Sequence, residues 1–320
     1  MKIAITGSSG LIGSALTRHL RERGHEVLRL VRRPPNAADE AQWNPQPPTA
    51  NTAGNAAGNA GADAGGAPPA EPALPALEGV DAVVNLAGAP IAGGRWTAAR
   101  KREIRASRVD RTRALAAMLA GLRQPPAVLL SGSAIGWYGD TGDRAVTESA
   151  PAGSGFLSGI VRDWEGATTA AERAGIRVVH LRSGIVLSRR GGVLGPLLPL
   201  FRLGLGARLG PGTQYMSWIA ITDLAGALSF LIDRPDIAGP VNLTTPNPVT
   251  NAEFTSALGA ALGRPAILRV PSPALRLALG EAAGEILASV RILPGRLTGA
   301  GFEFRYPGIE SALVSELRPR

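Results

Sequence analysis

The chain has 320 residues and no cysteine, so disulfides and thiolate metal centres are excluded. Histidine is almost as scarce: His19, His25 and His180 are the only three, and their separation argues against a histidine metal centre. Lysine is confined to Lys2 and Lys101, which leaves arginine to supply 32 of the 34 basic residues. Acids are too few to balance them, and the net charge is +9. Such a surplus can mark a nucleic-acid or anionic-membrane binder. Here the arginines run along the whole chain, with no compact basic tail and no interleaved aromatics, in a sequence rich in Ala, Gly and Pro. That pattern reads as compositional bias, and the expectation is no nucleic-acid partner and no membrane partner. A long hydrophobic run is missing too. The longest apolar stretch, 193–206, is broken by Pro196, Pro199 and Arg202, so no helix there spans a bilayer. Met1 leads directly into an apolar strand without a charged leader and apolar signal core, and the expected location is cytoplasmic.

What is present is a hydrophobic content of 45% in a chain long enough for one large domain or two moderate ones. Residues 2–6 read as a buried parallel strand, 11–23 as a helix stopped by Gly24, and 26–31 as a second strand. A low-complexity insertion then covers 36–76, and its stretch 47–73 ("PPTANTAGNAAGNAGADAGGAPPAEPA") offers almost nothing to a core. It is expected to be a disordered surface insertion. Order resumes with a strand in "DAVVNLAG" (81–88), followed by one long helix from about Thr97 to Ala120. A strand ending at Ser133, a helix from Ser158 to Ala174 and a strand from Arg177 to Leu181 come next. The alternation predicts an α/β fold with a doubly wound parallel sheet. Beyond residue 190 the pattern fades into glycine- and proline-punctuated loops. The expected division is a nucleotide-binding domain over 1–245 and a small mixed carboxy-terminal domain over 246–320 that contributes to a substrate lobe.

"TGSSGLIG" (6–13) places glycines at 7, 10 and 13 between a strand and a helix. Gly7 permits a tight turn, Gly10 admits a pyrophosphate to the backbone, and Gly13 lets helix and strand pack closely. Ser9, Leu11 and Ile12 complete the loop, whose N–H groups and positive helix end meet phosphates. The end of the second strand selects the cofactor. A carboxylate there would suit the ribose hydroxyl of NAD, but the chain carries Arg32 and Arg33, which suit the 2′-phosphate of NADP(H). The bland alternative is a solvated basic turn.

With these features the sequence resembles the extended and atypical short-chain dehydrogenase/reductase superfamily, and within it the NAD(P)-dependent epimerase-family branch. The resemblance rests on "NLAGAPI" (85–91), "RWTAARKREIRASRV" (95–109), "SGSAIGWYG" (131–139), "FRLGLGARLGPGTQYMSWI" (201–219) and "GAGFEFRYP" (299–307), and runs nearly end to end. It implies a Rossmann fold with residues 7–13 on the pyrophosphate and Arg32 on the adenosine phosphate. Leu86, Ala87 and Gly88 would line adenine and ribose, and Glu103 and Arg108 would approach the cofactor. Ser131 would join them, with Gly184 and Ile185 in a loop that closes over the nicotinamide. Residues 250–297 resemble a small domain of unassigned function found in this branch. Two departures stand out: Trp218-Ile219-Ala220-Ile221 replaces the usual Trp-Ile-His-Ile, and "GWYG" replaces Gly-Tyr-Tyr-Gly.

The superfamily couples Ser to Tyr-x-x-x-Lys, in which Lys lowers the Tyr pKa. The resemblance puts Leu157 and Val161 at the Tyr and Lys positions. The three tyrosines, Tyr138, Tyr215 and Tyr306, are followed four residues on by Gly142, Ile219 and Glu310, so no such motif exists anywhere in the chain. Ser133 is left as a candidate partner for a substrate oxygen, or as a hydroxyl satisfying local backbone. Tyr138 is a candidate acid, or a packing residue, since an unassisted phenol near pKa 10 is a poor acid–base group. Lys101, Arg105 and Arg108 share a helix face, and 202–218 reads as a glycine-hinged substrate flap. The sequence therefore points to an NADP(H)-dependent oxidoreductase or epimerase-like enzyme of a small carbonyl or hydroxyl substrate, of undetermined oligomeric state. Its rival is an NADP(H)-binding sensor without turnover.

Overall fold

The computed structural model describes residues 1–45, 74–91 and 94–318. The stretch 47–73 lies outside the described residues.

The first half alternates as the sequence predicts. Strand β1 (Lys2–Thr6) leads to α1 (Leu11–Glu22), β2 (Glu26–Val31), β3 (Glu40–Gln42) and β4 (Ala82–Asn85). Helices α2 (Ala98–Ala106) and α3 (Val109–Ala120) precede β5 (Val128–Ala134), and α4 (Phe156–Gly166) and α5 (Thr169–Arg173) precede β6 (Arg177–Ser183). Next come β7 (Ile185–Ser188), β8 (Gly191–Gly192), α6 (Leu194–Arg202), β9 (Ala207–Leu209), β10 (Tyr215–Met216) and β11 (Trp218–Ala220). Helix α7 (Ile221–Ile232), β12 (Gly239–Leu243), β13 (Val249–Thr250), α8 (Asn251–Leu262) and β14 (Leu268–Val270) follow. Four helices close the chain: α9 (Ser272–Leu279), α10 (Ala282–Leu287), α11 (Gly295–Gly299) and α12 (Ile309–Leu317).

Seven strands form one sheet in the order β12-β6-β5-β4-β1-β2-β3, every pair parallel. Both faces are covered, which is why its strands read as unbroken apolar runs. Ile3 and Ile5 join Leu16 and Leu20 of α1 and Leu224 and Leu228 of α7 in one core. Ala4, Val83 and Leu129 meet Leu115 and Leu119 of α3 and Ala171 of α5 in another. Each fully buried leucine contributes about 1.5–3 kcal/mol. The strand order reverses between β1 and β4, and ligands of open α/β sheets bind at such a point.

Two expected helices are broken, each for a visible reason. The single helix over 97–120 divides at Ser107 and Arg108. Ser107 Oγ accepts from the Ala89 N–H at 3.1 Å, and Arg108 Nη2 donates to the Ala89 carbonyl at 2.9 Å. Both residues leave the helix face to hold the loop after β4. The helix over 158–174 starts at Phe156 and divides at Thr168, whose hydroxyl turns back on the Glu165 carbonyl at 2.8 Å. The expected insertion also begins later than residue 36, because Glu40–Gln42 pairs with β2 and buries Ala41 and Trp43.

A second lobe has its own core, in which Leu194, Leu198, Phe201 and Trp218 meet Phe254, Leu258, Ile309 and Leu313. It is assembled from both sides of residue 245: β9 pairs with β14, and β10 with β13. These ladders pin the segment 202–218, with Gln214 and Trp218 buried. The glycine-hinged segment read as a substrate flap is thus tied at two places to partners more than 30 residues downstream. Among the described residues no helix is long and apolar enough to cross a membrane, and no cluster of His, Asp and Glu could hold a metal.

Candidate functional site

The glycine turn is built as its spacing demands. Gly7 has φ 67° and lies so close to the loop after β4 that a Cβ would stand 2.8 Å from the Leu86 carbonyl carbon. A Cβ on Gly13 would stand 2.2 Å from the Gly7 oxygen, so only glycine lets α1 sit this close to the turn. Gly10 is the N-cap of α1, has no side chain to cap it, and no acid occupies the first turn. The positive end of α1 is thus left to whatever anion reaches it.

The loop after β4 is held against this turn by a polar chain. Thr6 Oγ1 accepts from the N–H groups of Leu86 (3.1 Å) and Ala87 (3.2 Å) and donates to Asn85 Oδ1 at 2.7 Å. Asn85 Nδ2 in turn donates to Thr112 Oγ1, which also receives the Trp164 indole N–H, both at 2.9 Å. Leu86 and Ala87 are half-buried against Gly7, and Gly88 is exposed. Arg108 braces the same loop from behind, its guanidinium carbon 3.4 Å from where a Gly88 Cβ would be. Burial pulls the Arg108 pKa down to about 10, so it stays charged at neutral pH. Its role here is to position the loop. Glu103 is exposed and pairs with Arg100 at 2.6 Å, so nothing holds it toward the glycine turn.

At the end of β2 the two arginines part company. Arg33 is locked to Glu40 by two bonds of 2.8 Å, and the buried Glu40 carboxylate is held below its usual range, chiefly by Arg33. Arg32 is exposed and has no acidic partner among the described residues. A phosphate at this edge would find one free guanidinium instead of the expected two. Ser9 in the glycine turn is exposed, and Leu11 and Ile12 are half-buried in the first turn of α1.

Gly184 and Ile185 lie in the seam between β6 and β7. Their N–H groups donate to Leu243 (3.1 Å) and Ser217 (2.9 Å), and a Cβ on Gly184 would stand 2.7 Å from the Ser217 oxygen. Ser131 is fully buried in β5 between Asn85 and His180, and its hydroxyl has no hydrogen-bond partner among the described residues.

Ser133 and Tyr138 do come together, but in a closed network. Ser133 Oγ donates to Glu165 Oε1 at 2.7 Å. Arg182, 2% exposed and opposite Ser133 across β5–β6, grips both Glu165 oxygens, Nε at 2.8 Å and Nη2 at 2.9 Å. Its third nitrogen, Nη1, donates to Tyr138 Oη at 3.0 Å, and Tyr138 donates to Asn242 Oδ1 at 2.7 Å. The Trp137 ring covers the Arg182 guanidinium at 3.9 Å. Desolvation raises the Tyr138 pKa above its ordinary value, and the opposing pull of Arg182 does not offset it. Both hydroxyl protons expected for catalysis are therefore directed into the protein. Sequence reasoning missed Glu165, Arg182 and Asn242. The signal was an arginine inside the apolar strand "VVHLRS", since a buried guanidinium requires a buried acid.

Comparison with known proteins agrees with this architecture. The model of the NAD dependent epimerase/dehydratase family matches residues 3–243, and a domain of unknown function, DUF1731, matches 270–316. The chain belongs to the NAD-dependent epimerase/dehydratase family. It is 48% identical over 312 residues to the Epimerase family protein Mb2239 of Mycobacterium bovis, covering 97% of this chain and 96% of that one. A crystal structure of the human epimerase family protein SDR39U1 with NADPH is 32% identical, covers 98% of each chain and superposes with a TM-score of 0.83. A UDP-N-acetylglucosamine 4-epimerase from Bacillus cereus, 16% identical over 99% of this chain and 98% of that chain, shares the fold with a TM-score of 0.71.

Proposed function

We propose that this chain binds NADP(H) across the glycine turn and acts as an oxidoreductase or epimerase-type enzyme on a small carbonyl- or hydroxyl-bearing substrate in the cytoplasm. The observation that carries the reading is the pairing of an uncapped α1 N-terminus with an exposed Arg32 at the end of β2 that has no acidic partner among the described residues. The first suits a pyrophosphate and the second a 2′-phosphate, and the human relative's NADPH is in keeping with both. When bound, the cofactor would supply a nicotinamide able to exchange hydride with substrate. The chain's own part is to hold the loop at 86–88 against the pyrophosphate turn through Thr6 and Arg108, and to stiffen the β5–β6 tips through Glu165 and Arg182. Tyr138 keeps its proton at neutral pH and directs it to Asn242, so the reading includes no tyrosine relay.

A second reading is an NADP(H)-binding protein without turnover, and the internal engagement of Ser133 and Tyr138 favours it. Titration calorimetry with NADPH and NADH tests the cofactor, and NADPH oxidation against aldehydes, ketones and quinones tests turnover. Enzyme action predicts turnover that Tyr138→Phe leaves within about threefold, with an unshifted pH profile. Tight NADPH binding with no turnover on the panel selects the second reading. Equal affinity for NADPH and NADH would overturn the cofactor choice.

A further inference from the structure

Arginines that are scattered along the sequence gather on one face of the second lobe. No Asp or Glu occurs from residue 173 to 222, nor from 254 to 280. The fold brings these two acid-free stretches side by side, because β9 and β14 pair in parallel with Arg208 opposite Arg269. Arg202 and Arg264 are exposed near the same strands, and none of the four makes an ion pair among the described residues. The nearest acid along the chain, Glu253, turns its carboxylate onto Thr250 in the capping box of α8.

Large apolar side chains are exposed on the same elements. Leu200, Leu203 and Leu205 project from the C-terminal turn of α6, and Leu203 is 74% exposed. Ile267, 85% exposed, and Leu268 stand at β14, and Gly206 beside Leu205 would carry a Cβ 3.1 Å from Ala266. The chain then runs from β14 into α9, where only Leu275 is buried and Leu277 is 78% exposed. Exposed leucines are ordinary one at a time, but a group of them is not.

Against the expectation of no membrane partner drawn from the scattered arginines, we propose that this face, made by the end of α6 with β9 and β14, docks the protein peripherally on an anionic lipid bilayer. Leucines entering the interface and arginines pairing with lipid phosphates are the two components of such binding. A second copy of the chain is the poorer occupant. A two-fold contact would set arginine against arginine with no acid on either side. The surface lies on the lobe and uses none of the residues assigned to the cofactor, so its test is independent of the proposed activity.

The test is co-sedimentation of the full chain with vesicles of phosphatidylcholine alone or mixed with phosphatidylglycerol. The chain should bind the mixed vesicles at least tenfold more tightly, and added salt should release it. The double variant Leu203→Ser, Ile267→Ser should weaken binding by about tenfold or more without changing net charge. Arg202→Glu with Arg208→Glu should abolish the preference for phosphatidylglycerol. Both variants should keep the melting temperature and NADPH affinity, because all four positions are exposed. No binding to the mixed vesicles at low salt overturns the proposal, as does binding unaffected by the Leu203 and Ile267 changes. Concentration-dependent dimerisation lost in the Leu203→Ser, Ile267→Ser variant, without vesicle binding, overturns it in favour of a second copy.

Discussion

The glycine turn and the tips of β5 and β6 lie in one sheet, yet their polar groups are used in opposite ways. At the turn, the first residues of α1 have no capping side chain and Arg32 has no acid among the described residues. At the β5–β6 tips, Ser133, Glu165, Arg182, Tyr138 and Asn242 satisfy one another. Groups left without partners beside solvent mark a place where a ligand completes the structure. A network that closes on itself marks a place that the protein completes alone. The contrast assigns binding to the turn and rigidity to the tips, although sequence motifs would have put chemistry at both.

The sharpest way to break the contrast is to open the closed region. Arg182→Ala leaves the Glu165 carboxylate buried and unpaired, and should cost about 3–5 kcal/mol in denaturant unfolding. If NADPH affinity of the folded fraction survives, the tips are structural; a loss of affinity as large as the loss of stability would merge the two regions. Gly13→Ala attacks the open region. Its methyl must displace the Gly7 carbonyl, so about 1–3 kcal/mol of stability should go, with NADPH affinity falling at least tenfold.

A subtler pair separates the two arginines. Arg32→Glu should lower NADPH affinity by about tenfold or more and leave NADH affinity near its native value. Arg33→Ala should barely change it in calorimetry, because that guanidinium already serves Glu40.

The smallest effect is read in pH. Burial holds the His180 imidazole below its ordinary value, with Thr168 3.0 Å from Nε2. Below the unfolded value of 6.5 the unfolded chain takes up a proton that the folded chain refuses. Stability from this group is therefore complete above that pH and declines with acidification until the lower folded pKa is passed. His180→Gln should flatten the decline in melting temperature on acidification below about pH 6.5, leaving the alkaline side unchanged.

Local rules made the first half legible. The apolar runs and the glycine spacing follow from contacts a few residues long or from burial on both sheet faces. Legibility ended where partners were distant in sequence. The break at Ser107–Arg108 is set by Ala89, the commitment of Arg33 by a strand hidden next to low-complexity sequence, and the Tyr138 network by Asn242, 104 residues away. An exposed Tyr138 and a buried one have the same sequence. Only the register of β5 against β6, which brings Arg182 opposite Ser133, separates them.

The segment 288–297 acts as a strap between distant parts of the fold, with a consequence for how the chain comes into being. Leu293 O accepts from Asn242 Nδ2, Val290 O accepts from Ser217 Oγ, and Val146 exchanges backbone bonds with Arg291 and Leu293. Leu297 fills the main core beside α7. During synthesis every strand of the large sheet emerges before the strap exists. Until it does, Asn242 Nδ2 and Ser217 Oγ lack the carbonyls to which they donate. A chain cut short after β12 would stay in that state, so the two family-matched segments should mature and unfold as one cooperative unit.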